Sequence, residues 1–500
     1  MSHRKAAGQR RNSGQRRLLL EQLECRNLMA GFVNAFVSGG SLFINGDNND
    51  NAIQVAEIDD EDGNSKTRAY VVAGADTTIT FNKTGSRVEV DDLPPAANSA
   101  ALFFNVKFDI HVNMKGGSDV VGIGNSTQEL AGLAAAAFPD LPFELPTDGI
   151  EGESQMVVPR SLFIDMGDGR NPFEGVVVDA DIGTSNQGGI AKIVTGLSGK
   201  AFSADFVAVG GSNVGSTQSR DRGADLLILT GNGDDSVSVT DFFVADLLQV
   251  STGNGNDEVN INQAGDGDAE LRARAKQALI LTGNGEDVVG MENFALSSGL
   301  TVNTSGGDRF NDEDSVSVRD FQIGGLLLVT TGLDNDEVTV GGLGLFDGEA
   351  AATSVKDLVV DTGAGEDLAS VFDMLILRNA TVRLGSGTDS LSVNSINNDE
   401  QFNKGLVALI DAGDGDDTVS VLATHFDARN SSATVLMGAG EFDTLFVSLN
   451  ANSARRTVLS GGPGKNDQII NEEGLGNGKY KRGIADLTIK EFESTDILIP

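Results

Sequence analysis

Short apolar runs and polar, glycine-bearing turns alternate along most of the chain. LLILT, LLQV, LILT and LLLVT each lead into a turn, and SVSV, DEVNI and DTVSV each lead out of one. The segments leaving the turns alternate apolar and polar positions, as half-buried strands do, whereas the entering runs are almost continuously apolar, like parallel strands covered on a core face. Both kinds are too short for helices. Between them sits Gly-x-Gly-x-Asp-x-apolar, with its aspartate at Asp235, Asp257, Asp287, Asp367, Asp389 and Asp417 and looser copies at Asp336, Asp443 and Asp467. A supersecondary unit that recurs in this way buries its apolar face only by stacking on its neighbours. The pattern therefore predicts an all-β fold, a parallel β-helix (β-solenoid) in which each coil is strand, glycine turn, strand.

The spacing fixes the coil. Asp235 to Asp257 and Asp367 to Asp389 are each 22 residues apart, whereas Asp257 to Asp287 is 30 and Asp389 to Asp417 is 28. About 22 residues is thus the bare coil. The longer coils carry their surplus mostly after the strand that leaves the turn: QAGDGDAELRARAKQ follows Ile261, GLGLFDGEAAATSVK follows Val340, and SINNDEQFNKG follows Val393, whereas at Asp314 the turn itself is expanded, as SGGDRFNDED. These insertions are predicted to project from one edge, where repeat proteins commonly keep recognition surfaces. A phenylalanine also stands seven residues past the turn aspartate at Phe242, Phe294 and Phe321. Equal offsets predict an internal file of rings, since Phe buries area well and has no polar handle.

Three segments follow from punctuation. Residues 1–31 form a basic head, 32–220 an irregular first part with a long excursion near 125–159, and 221–500 a regular stack with NEEGLGNGKYKRG and IADLTIKEFESTDILIP as a terminal cap. No proline lies between Pro172 and Pro463. Proline removes ladder hydrogen bonds, so its absence marks uninterrupted strands. In the irregular part, Asp119 and Asp168 occupy weaker copies of the turn.

Charge narrows the partners. The formal net charge is −37, and the first 30 residues hold seven Lys or Arg against two Glu, which leaves the body still more acidic. Such a body disfavours nucleic acids and other polyanions and suits cations. The lone Cys25 allows no intrachain disulfide, and no apolar run approaches a membrane span.

The head contains LEQLECRNLMA, Leu20 to Ala30. This string resembles the LEPR-XLL type segment near the N-terminus of large repetitive secreted bacterial proteins, and the resemblance implies an extracellular or cell-surface location. TGNGDDSVS and SGGPGKNDQ resemble single copies of the RTX (haemolysin-type) nonapeptide, whose turns bind calcium. Here the first glycine is replaced by Thr230, Thr252, Thr282 or Ala412, and the copies are not in tandem, which favours a wider β-helix over a two-strand roll. The resemblance implies Ca²⁺ at Asp235, Asp257, Asp287, Asp336, Asp367, Asp389 and Asp417. Turn chemistry explains the same residues with no metal, because Gly supplies positive φ and Asp caps its own turn. Calcium would relieve repulsion between aspartates aligned ~4.8 Å apart along the edge.

Enzymes of this fold class use clustered acids. Here the paired carboxylates recur at one coil position, there is no Trp, and Tyr occurs only at 70 and 480. His3, His111 and His425 are far apart and near no nucleophile motif. The reading is a non-catalytic structural or adhesive protein, with cations and extracellular matrix or surface polysaccharide as partners. Its alternative is a carbohydrate-active β-helix, a polysaccharide lyase or hydrolase, which would gather a non-repeated cluster of Asp, Arg and Lys beside the insertions.

Overall fold

Every second side chain of the strands is buried: Asp225–Asn232 and Ser236–Thr240 both follow that period, with Leu226, Ile228, Val237 and Val239 inward, while the outward positions are serine and threonine in the second strand but include Leu227 and Leu229 in the first. The structure is a computed structural model. It describes residues 31–490 apart from 59–68, 76, 82–84, 88–96, 126–154, 168–172, 184–188, 197–203, 216–223, 263–272, 307–311, 343–352, 397–405, 423–431, 448–455, 464–465 and 472–485. Among these residues the fold is all-β, with no helix, and the strands are joined in a single hydrogen-bonded sheet system.

Parallel pairing links strands one repeat apart and sorts them into three files. The entry file, which leads into the glycine turns, runs through Leu162–Asp165, Ile190–Val194 and Asp225–Asn232 to Val407–Asp411, Ser432–Leu436, Arg456–Ser460 and Asp486–Lys490. The exit file runs through Phe173–Val178, Ala204–Gly210, Ser236–Thr240 and Glu258–Asn262 to Thr418–Leu422, Thr444–Val447 and Gln468–Asn471. A third file begins with Met156–Val158, Ala180–Ile182 and Asn213–Val214 and continues in the middle of longer strands. The 19-residue strand Ser315–Leu333 contributes to all three. One continuous cluster of Val, Ile, Leu, Met and Phe, from Val33 to Ile469, fills the interior.

The corner between the exit and third files has its own chemistry. Asp241, Asn293, Asp320 and Asp373 adopt φ between 45° and 56°, each six residues past a turn aspartate. Asp and Asn tolerate this left-handed conformation better than other side chains. The next residue is thereby turned inward. Phe242, Phe294 and Phe321 are buried as expected, and Phe294 and Phe321 stack with centroids 5.9 Å apart and 27° between planes. Ala273 stands between Phe242 and Phe294, so the rings do not form an unbroken file.

The start of the chain departs from the parallel plan. Phe32–Ser38 and Ser41–Asn45 form an antiparallel hairpin, and Ala52–Ile58, Ala69–Ala75 and Ala97–Phe104 pair antiparallel beyond the first parallel rung. They cover what would otherwise be an open edge, a standard liability of stacked strands. At the other end, Asp486–Lys490, expected within a cap, adds one more parallel rung; the rest of that stretch, like the basic head, lies outside the described residues.

Most of each inserted segment also lies outside the described residues, but the anchors do not. They leave from Asn262 and Gly342 at the end of the exit file and from Ile396 just past it, beside Met374, and therefore from one corner of the stack. The first insertion is shorter than the sequence suggests: Ala273 and Ala275 are buried members of strand Ala273–Asn284.

Two outcomes follow. Phe294→Ala removes a buried, stacked ring and lowers unfolding free energy by about 3 to 5 kcal/mol in chemical denaturation. Deleting 264–271 leaves the far-ultraviolet spectrum of the β structure unchanged, because loop length costs little entropy, whereas extending the deletion through 276 removes Ala273 and Ala275 and unfolds that coil.

Candidate functional site

The turn corner is where successive rungs approach most closely. A Cβ added to Gly253 would lie 1.7 Å from the carbonyl oxygen of Gly231, and one added to Gly255 would lie 1.7 Å from that of Gly233; both glycines also have positive φ, 104° and 136°. Only glycine fits these positions, which explains the Gly-x-Gly spacing twice over.

The aspartate that follows is buried. Asp235, Asp257, Asp287, Asp336, Asp367, Asp389 and Asp417 are all at most 2% exposed, and so are Asp314, Asp443 and Asp467. Each sends Oδ1 back to the previous rung, where it accepts the backbone N–H of that rung's own aspartate. The Asp257 carboxylate accepts from Asp235 at 2.8 Å, Asp287 from Asp257 at 2.9 Å, and Asp314 from Asp287 at 2.9 Å. The series continues without a break through Asp336, Asp367, Asp389, Asp417, Asp443 and Asp467. At the corner the chain bends and the backbone ladder has no carbonyl for this N–H, so a carboxylate oxygen supplies the acceptor that a buried donor requires.

Two expectations are corrected by this geometry. Except at Asp443, which also accepts from Gly440 of its own turn, the aspartates cap the preceding rung and not their own turns, and their charges do not crowd along an exposed edge. The column is also longer than the motif: register places Glu174 and Asp205, both buried, in line between Asp119 and Asp235. Asp168, which the sequence put in that series, lies outside the described residues. Asp119 starts the column by accepting from the Asn51 N–H at 2.7 Å. Neither Glu174 nor Asp205 lies in a glycine turn, so the motif could not have found them; their place two residues before Val176 and Val207 in the strand pattern was the available signal.

Burial dominates the electrostatics. It raises the carboxyl pKa to about 6 at Asp235, Asp389 and Asp443, to about 7 at Asp119, Asp287 and Asp336, and to about 8 at Asp257, Asp314 and Asp417; Asp367 is raised as well. The accepted N–H opposes the rise, and at Asp235, Asp257, Asp287, Asp314, Asp336 and Asp367 so does a threonine hydroxyl whenever its single proton turns to the carboxylate and away from a main-chain carbonyl. Neighbouring carboxylates add to the rise. The mutual repulsion expected from alignment is therefore relieved in large part by protons.

Threonine stands before the glycine pair for a structural reason. Thr230, Thr252, Thr331 and Thr362 are fully buried and donate their hydroxyls to the main-chain carbonyl of the next rung at 3.3, 3.3, 3.1 and 2.9 Å. Outside the turn, a second set of bonds runs in the opposite sense. Asp234 accepts the N–H of Asn256 at 2.9 Å, Asn256 that of Glu286 at 3.1 Å, and Asp416 that of Glu441 at 2.8 Å. Consecutive rungs are thus tied in both directions.

The capacity for metal can be stated atom by atom. In the column from Asp235 to Asp467 each Oδ1 is engaged and each Oδ2 is buried without a geometrically complete hydrogen bond. Several turn carbonyls are taken by N–H groups of neighbouring rungs, as in Gly233 to Asn254 and Gly255 to Asn284. A hard cation here would have Oδ2 atoms as its protein ligands and would need further oxygens from elsewhere. Among the described residues, no group of three His, Cys, Asp or Glu side chains has the arrangement of a metal site.

Away from the turns, His111 is stacked between Phe43 and Phe163, at 4.7 and 4.9 Å, and burial lowers its pKa. His3 and His425 lie outside the described residues. An open groove of about 600 Å³ lies on the third file beside the insertion corner, with Arg274, Lys276, Gln322 and Ser354 among its lining and no carboxylate. Lys276 pairs with Asp246 at 2.7 Å. Among the described residues, no helix is long and apolar enough to cross a membrane. Comparison with known protein families, curated proteins and solved structures finds no match for this chain.

The column sets a pH dependence whose sign is fixed. Folded-state pKa values of about 6 to 8 exceed the ordinary value of 3.8, so between those limits the folded chain holds more protons than the unfolded one. Stability from this source is complete below about pH 4 and is lost as pH rises through 6 to 8. In metal-free buffer the melting temperature is therefore higher at pH 5 than at pH 8.5. Asp314→Asn keeps the acceptor oxygen, removes the titrating proton, and flattens that slope.

Proposed function

We propose that the chain is a secreted or cell-surface β-solenoid with a structural or adhesive role and no catalytic centre. The observation that carries this reading is that its most conspicuous acids are spent internally. Ten carboxylates from Asp235 to Asp467 occupy one buried column and cap backbone N–H groups, so their repetition serves the stack. Three parallel files about one continuous apolar interior support the solenoid, and the N-terminal resemblance supports export. The groove on the third file gathers two cations beside the insertion corner, as a carbohydrate-active β-helix would, but its lining lacks the pair of carboxylates that glycoside hydrolysis requires. The test is incubation of the full chain with a panel of neutral and acidic polysaccharides. Neither reducing ends nor unsaturated products accumulate; turnover that Arg274→Ala abolishes would overturn the non-catalytic reading.

Calcium at the same turns is the second reading, favoured by the RTX-like motif and by the row of Oδ2 atoms without complete hydrogen bonds. A folded-state site held at a hundredfold excess over Kd adds ~2.7 kcal/mol. Melting in calcium and in EDTA at matched ionic strength separates the two readings. A rise specific to calcium and reduced by Asp287→Asn places the ion at the column, while equal transitions, or equal rescue by magnesium, leave the column as a capping device screened by salt.

A further inference from the structure

The two long sheet faces of the stack differ in what they show to solvent. Along the middle of the exit file the outward side chains are polar, as at Ser238, Asn260, Ser317 and Thr339. Along the middle of the entry file six of the ten outward residues from Leu227 to Val458 are leucine or valine, with Gln249, Thr301, Thr381 and Thr434 between them. Cross-strand register joins Leu279 to Thr301 to Leu328 and, further on, Leu409 to Thr434 to Val458, all outward-facing and half-buried. Neither central row contains a charged residue, from Leu227 to Val458 on the entry file or from Ser238 to Phe446 on the exit file, in a chain with 73 acidic and 36 basic side chains, so the aliphatic content is what sets the entry face apart.

We propose that this outer face of the entry file is a face-to-face interface between two copies of the chain. Three observations choose that occupant. The first is area. About ten rungs at ~4.8 Å, with strands exposing some five residues at ~3.3 Å each, give roughly 800 Å² per copy. That footprint, which includes the rows flanking the central one, is the contribution of each partner in a stable interface of standard size, about 1,600 Å² in total.

The second is charge. Two copies of a chain with net charge −37 repel each other wherever acidic surfaces meet. The uncharged row lets them meet with charges on the flanking rows, where Asp225 and Asp357 stand on one side and Asp361, Arg383 and Asp411 on the other, Arg383 lying 3.8 Å from Asp361. Charge depletion at the centre with a polar rim is the compositional signature of interfaces. The third is pitch. Leucine or valine alternates with threonine on successive rungs of both triplets, so bulky side chains of one face can enter the threonine positions of an identical face, whose rungs share the same spacing.

The test is the mass of the full chain by sedimentation velocity and light scattering, from sub-micromolar to the highest soluble concentration. The expected result is a dimer that persists in high salt, because its centre is apolar. Leu279→Glu/Leu328→Glu places charges in the central row and yields a monomer, and the milder Leu279→Thr/Leu328→Thr pair, which keeps strand propensity, weakens the dimer at least tenfold. Ser238→Glu/Ser317→Glu on the exit file leaves it intact. Circular dichroism of each variant verifies folding. A monomeric wild type across the range, a dimer that survives both leucine pairs, or loss of the dimer in the serine pair would each overturn the assignment.

Discussion

One hydrogen bond organises the described structure: a carboxylate oxygen reaches back one rung to the N–H of the aspartate before it, at 2.8 to 3.3 Å from Asp235 to Asp467. A three-file stack has corners, and at a corner the backbone ladder leaves donors unmet. Unmet donors in a dry interior are costly. Aspartate is short enough to fill the gap and still leave the strand that follows in register. Repeating the bond at every rung fixes the axial relation of each coil to the next, and the pairing partners Glu258, Val288, Ser315 and Glu337 then donate to Asp235, Asp257, Asp287 and Asp314 in the same order.

The remaining columns serve the same closeness. Glycines at the turn allow backbone to approach backbone, and buried threonines tie the entering strand to the carbonyl of the next rung. The exposed Asp and Asn of the outer turn bond in the reverse sense, so a coil cannot slide in either direction without breaking a set. The electrostatic consequence is a line of acids that resists ionisation.

Much of this could be read from sequence where the governing chemistry is local. The 22-residue spacing, the glycine pair and the Phe positions are local signals, because φ, strand period and burial of an aromatic ring are set within a few residues. The Asp and Asn that turn the second corner, Asp241, Asn293, Asp320 and Asp373, carry an equally local signal in their fixed offset from the turn aspartate. The destination of the aspartate oxygen was not legible. An Asp that caps its own turn, binds a cation or caps the preceding rung has the same one-dimensional pattern, and only the partner one repeat away distinguishes them.

The sequence by itself determined the period, the strand type and the apolar stripe of each strand, since these follow from steric limits on glycine and from a side-chain period of two. Tertiary structure alone decided which face of each strand meets which neighbour. It placed Glu174 and Asp205 in the carboxylate column without a glycine turn, closed the N-terminal end with antiparallel strands, and aligned Leu279, Thr301 and Leu328 into one uncharged row. The reason is common to all three. Register between strands 22 to 31 residues apart is set by the summed fit of the interior, and no single residue carries that sum.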